Sequence, residues 1–247
     1  MPFATPAKPF LRTAAVALLG ALAAAPTACS TDIFDVGVQL GAETFPIDFG
    51  MQTGNIPAAA CSAQNVTMCG SNHVLQLAGD TGQAEIIAGC DVAAGGRCYV
   101  QANALVTYTV DVLQDESFTS KVGRKTVSAV RMIDITYTVP VNTTTFDIPR
   151  VGVYVGPAGS KAETDLGVHL IDSIDGLPAR TVVLPSDPRH LTVADGSPAR
   201  DLMEQSIRDR TPFVVLIALS PRMESGTPVP AGKLQFDIVP LLGLGVR

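Results

Sequence analysis

The sequence predicts an all-β protein, mainly an antiparallel β-sandwich, with one inserted α-helix near residues 198–209. Three observations predict it. Apolar and polar residues alternate with a period of two after Tyr99, as side chains alternate across a strand. Clusters of Gly, Pro and Asn punctuate those segments at the spacing of serial antiparallel strands. A helical period is strongest at one place, "SPARDLMEQSIRD". There Ser197 is an N-cap, Pro198 takes the first helical position, and Leu202, Met203 and Ile207 share one side.

Within residues 29–56, "DIFDVGVQL" and "FPIDF" read as a first pair of strands. Residues 57–98, rich in Ala, Gly and Cys, read as a disulfide-stapled insertion or subdomain. Residues 99–247 read as the main β-sandwich. Its first strand, "YVQANALVTYTVDV", puts Val100, Ala102, Ala104, Val106, Tyr108, Val110 and Val112 on one face. Gln101, Asn103, Thr107, Thr109 and Asp111 take the other, with Leu105 the exception. "VSAVRMIDITYTV" repeats the pattern through Val127, Ala129, Ile133, Ile135, Tyr137 and Val139, and Arg131 interrupts the inner row. "PVNTTTF" is a turn, after which "FDIPRVGVYV" returns with Val151, Val153 and Val155 inward. Pro149 places the start of that strand at an edge or bulge. "TVVLP", "PFVVLIAL" and "GKLQFDIV" are the later strands, for about eight to ten in all. A second short helix is expected around Ser117 to Val122.

Residues 1–13 carry Lys8 and Arg12 and no acid, and Ala14 to Ala25 form a short apolar run. That layout is a secretory signal, too short to span a bilayer. Small residues lead into Cys29, and the segment resembles a bacterial lipoprotein signal peptide, departing from the usual pattern at Pro26. The resemblance implies removal of residues 1–28 and a thioether-linked, palmitate-class lipid on Cys29, with Ser30 favouring the outer membrane. More than one acyl chain anchors stably where a single one does not. Plain secretion is the alternative. No motif in the remaining chain assigns a family.

Five cysteines are an odd count, and a lipidated Cys29 leaves Cys61, Cys69, Cys90 and Cys98 as an even set. Their C-x7-C-x20-C-x7-C spacing lacks the close pairs of a zinc site, and an exported chain favours two disulfides. Three pairings remain open, as two local loops or as a hairpin bridged twice.

Composition excludes several roles. Hydrophobic residues make up 47% of the chain, enough for a packed core and against disorder. Without residues 1–28, 15 basic residues face 23 acidic ones, a formal charge of −8. With no Lys/Arg cluster, nucleic acid is a poor partner. The absence of Trp, with the four Tyr inside strands, disfavours carbohydrate; an apolar ligand between the sheets stays open.

Catalytic and metal motifs are weak. There is no G-x-S-x-G elbow and no H-E-x-x-H helix, and the sequence calls for no cofactor. "GPAGSK" at 156–161 reads as a turn, and His73, His169 and His190 are scattered. "SDPRH" brings Ser186, Asp187 and His190 close in sequence without establishing aim, which leaves a hydrolase as a minor reading. "DSIDG" at 172–176 and "GDTGQAE" at 79–85 gather oxygens near glycines but do not match the EF-hand loop. The expectation is a membrane-tethered, non-catalytic structural or protein-interaction domain, with an apolar-ligand carrier as the alternative. Its partners would be the membrane through Cys29 and other envelope proteins.

Overall fold

The alternation after Tyr99 builds a strand (Arg97–Val110) whose inward residues Val100, Ala102, Ala104 and Val106 are all buried. Everything else is arranged around it in a computed structural model that describes residues 34–51, 53–76 and 82–247. The expected signal segment, residues 1–28, and Cys29 lie outside the described residues.

Among the described residues, twelve strands form two antiparallel sheets. In chain order they are β1 (Phe34–Gln39), β2 (Glu43–Asp48), β3 (His73–Gln76), β4 (Gly82–Asp91), β5 (Arg97–Val110), β6 (Val127–Asn142), β7 (Ile148–Pro157), β8 (His169–Leu177), β9 (Arg189–Leu191), β10 (Phe213–Leu219), β11 (Arg222–Glu224) and β12 (Lys233–Val246). Helices α1 (Glu116–Lys121) and α2 (Pro198–Asp209) stand where the sequence places them. One sheet has seven strands in the order β3-β4-β5-β10-β7-β8, with β11 extending the line of β10 along β5. The other has five: β12 pairs β6 on one edge and both β1 and β2 on the other, and β9 closes on β6. The fold is an all-β sandwich. The count exceeds the expected eight to ten because β3, β9 and β11 are too short to show a period.

Three sequence expectations change. "TVVLP" is no strand; Val183 alone bridges Val139. The strand begun by "GKLQFDIV" continues to Val246, because Gly243 and Gly245 hide its period. The "PVNTTTF" turn returns the chain to the opposite sheet, making a corner. Asn142 holds that corner from inside, donating to the carbonyls of Pro178 (3.0 Å) and Thr181 (2.9 Å) and accepting from the Thr144 hydroxyl (2.7 Å).

Arg131, the break in the inner row of β6, marks a β-bulge. The register against β12 runs Val130 to Leu244 and then Met132 to Gly243, so Arg131 is the extra residue. The slip turns Val130 inward in place of Ala129 and leaves Arg131 outside, 2.8 Å from Asp35.

Phe45, Phe49, Phe146 and Phe236 are all buried in the shared core. Phe45 meets Tyr108 edge to face at 6.1 Å across the interior. α2 packs on β6, β7 and β8 with Met203 and Ile207 buried. Ser197 caps it, accepting from the Arg200 amide at 3.2 Å. Arg210 ends it in the left-handed region (φ 56°) and donates to the Gly123 carbonyl (2.9 Å).

Candidate functional site: the outer groove of the seven-stranded sheet

The outward residues of the central strands make a groove of about 810 Å³. Strand register explains its shape. Across the sheet, Glu85 pairs Asn103, and one step along, Gln83 pairs Leu105, Leu105 pairs Ala218 and Ala218 pairs Gly152. Ala218 and Gly152 are small, so the outer surface sinks between taller neighbours. Gly152 is required here. Tyr154 folds back over it, and a Cβ at 152 would stand 2.5 Å from the ring's Cε2.

One side of the groove is polar and pinned. Gln101 Nε2 donates to Asn103 Oδ1 (2.9 Å) and to Ser220 Oγ (2.6 Å), and the Ser220 hydroxyl donates to Asn103 Oδ1. This triad leaves Gln101 Oε1 and Asn103 Nδ2 without a protein partner among the described residues. Glu85 and Glu163 add carboxylates, while Arg150 has Asp175 at 3.9 Å. The other side is apolar: Leu105, Ala218, Leu170 and the Tyr154 ring. Leu170 is 43% exposed, and Leu166, on the β7–β8 connection, is 97% exposed.

None of these residues was singled out as a site by the sequence. The available signal was Leu105, the one aliphatic residue in the outer row of β5. Tyr154 also bears on the expectation about carbohydrate, because its outward register brings an aromatic ring to the open face of the sheet.

The inward faces of the two sheets pack closely among the described residues. Between the sheets, Val110, Ile135, Val153, Met203, Ile207 and Phe213 are among the residues lining a cavity of about 20 Å³. That is room for about one water and far below a ligand pocket.

The cysteines lie at the β3 end of the seven-stranded sheet. Cys61 meets Cys90 and Cys69 meets Cys98 at disulfide distance, S–S 2.00 and 2.11 Å. Cys90 and Cys98 are register partners on β4 and β5, so the bridged hairpin is β4–β5 and the 61–69 segment is fastened across it. Within the 57–98 segment, β4 and the start of β5 are paired strands of the seven-stranded sheet. The sulfurs of Cys61, Cys69 and Cys98 lie within 4.8 Å of one another, the one metal-capable group of three among the described residues, and all belong to these pairs.

The other candidates do not converge. His190 Nδ1 lies 3.0 Å from Asp134 Oδ1 on the exposed face of the five-stranded sheet, not against Asp187 of its own loop. His73 starts β3 and His169 starts β8. In "DSIDG", Asp172 accepts from the Ser173 and Thr192 amides and Asp175 faces Arg150, so the oxygens do not gather about an ion. In "GPAGSK", Ser160 Oγ donates to the Pro157 carbonyl at 2.9 Å, as in a turn. "GDTGQAE" lies partly outside the described residues.

Among the described residues no helix is long and apolar enough to cross a membrane. No family model matches the chain, and no curated protein or solved structure matches it.

Proposed function

We propose that the protein is an exported lipoprotein, tethered to the outer membrane through Cys29, that works by contact and not by chemistry. It is a structural or protein-interaction domain whose contact surface is the outer groove of the seven-stranded sheet. The observation that carries this reading is the pairing of an open, half-apolar groove on the outside with a cavity of only about 20 Å³ between the sheets among the described residues. An apolar-ligand carrier needs the reverse arrangement. The lipid signal ahead of Cys29 supplies the address, and the bridged cysteines suit an oxidising compartment.

A photo-crosslinking residue placed at Leu105 in intact envelopes tests the contact surface. The reading expects a discrete protein adduct from position 105 and none from a control at the exposed Gln39 of the other sheet. Equal labelling from both positions, or from neither, contradicts it.

A further inference from the structure

Resting on the groove as contact surface, we infer that its occupant is an extended segment of a partner protein carrying a basic residue and, two positions away, an apolar one. The groove follows β5, where Gln101, Asn103 and Leu105 stand on one side at i, i+2 and i+4. Their spacing along the strand is about 6.7 Å per two residues, and an extended polypeptide laid along it repeats at the same interval. Gln101 Oε1 and Asn103 Nδ2 then offer an acceptor and a donor to the N–H and C=O groups of that segment. Both amides are fixed beforehand by their bonds to each other and to Ser220, so little ordering is needed on binding.

The side-chain preference follows from the two neighbouring rows. The row of Glu85 and Asn103 carries a carboxylate, and Glu163 adds a second to the lining. The one lining cation, Arg150, faces Asp175. The groove is therefore net acidic and favours a Lys or Arg. One row on, two residues along the occupant, Leu105, Ala218 and the Tyr154 ring form an apolar depression that takes a Leu-sized side chain.

Fluorescence anisotropy of the folded protein with short labelled peptides tests this. A peptide with a central Lys-x-Leu is expected to bind, and its Glu-x-Leu and Lys-x-Ser counterparts to bind more weakly. Glu85→Gln should weaken Lys-x-Leu binding about two- to fivefold, an effect that shrinks at high salt. Ala218→Leu, filling the depression on a solvent-facing position, should abolish binding while the circular dichroism spectrum is unchanged. Equal binding of the Lys and Glu peptides, or indifference to both substitutions, overturns the inference. So does binding of a neutral oligosaccharide that Ala218→Leu removes. If the peptides fail while position 105 still crosslinks to a protein, the segment chemistry falls and the contact surface stands. If both fail, both readings fall.

Discussion

The guanidinium of Arg222 lies over the ring of Tyr99, 3.9 Å from its centroid. Tyr99 in turn covers Gly89, its register partner on β4, so three strands are joined by one stack on the outer face of the sheet. Arg222 also pairs with Asp91 and, at 3.0 Å, with Glu224.

A side chain at position 89 would undo this stack, since a Cβ there stands 2.2 Å from Tyr99 Cζ. Gly89→Val is expected to displace the ring and with it the cation–π contact, costing about 1 kcal/mol. Thermal unfolding should shift down by about 2–4 °C for a domain of this size. Arg222→Ala should cost less in the Gly89→Val background than in the unaltered chain, since only its Asp91 and Glu224 pairs remain to be lost. Full additivity of the two changes would show that the stack is not a unit.

Stability should fall at both ends of the pH range. The Arg222 hydrogen bond, with help from the Ala94 amide, holds the Asp91 carboxyl below its ordinary value, and amides of Lys161 and Ala162 do the same for Asp165. A depressed carboxyl stabilises the fold above its unfolded pKa of about 3.9, and that contribution is lost as pH falls through the lower, folded value. Burial, then the hydrogen bond and charge of Glu43, push the Tyr108 hydroxyl up. A raised tyrosine stabilises fully below its unfolded pKa of about 10 and loses that contribution as pH rises beyond it. Denaturant midpoints across pH should show both limbs, with Asp91→Asn flattening the acid one and Tyr108→Phe the alkaline one. Limbs unchanged by these substitutions would refute the assignment.

The cysteine pairing is directly checkable. Non-reducing peptide mapping is expected to give 61–90 and 69–98 cross-links and no alkylatable thiol among the four. Removing one bridge by the double change Cys69→Ser and Cys98→Ser should cost about 2–4 kcal/mol. Cross-links of 61 to 69 and 90 to 98 would contradict the arrangement.

Most strands and α2 were legible because each buries one face, and burial writes a period into the sequence; β10, buried on both faces, shows only as a short apolar run. Pro198 and Ser197 mark the start of α2 to the residue. What periodicity could not supply was partnership. Nothing local to β6 tells it to pair with β12, and the Arg131 bulge shows as a defect until the register explains it. The cysteine spacing left three pairings open because the deciding contact, Cys90 opposite Cys98, belongs to a hairpin. The groove was the least legible part. Its floor comes from small residues on β7 and β10 that reach neighbouring positions only through the sheet order, and in one dimension only Leu105 betrayed it.

The most direct test of the central claim, that this is a tethered envelope protein, is metabolic labelling with a fatty-acid analogue followed by membrane fractionation. The account predicts label on the mature protein, its recovery with the outer membrane, and loss of both in Cys29→Ser. Label that survives Cys29→Ser, or unlabelled protein free of the membrane in the unaltered chain, would contradict it.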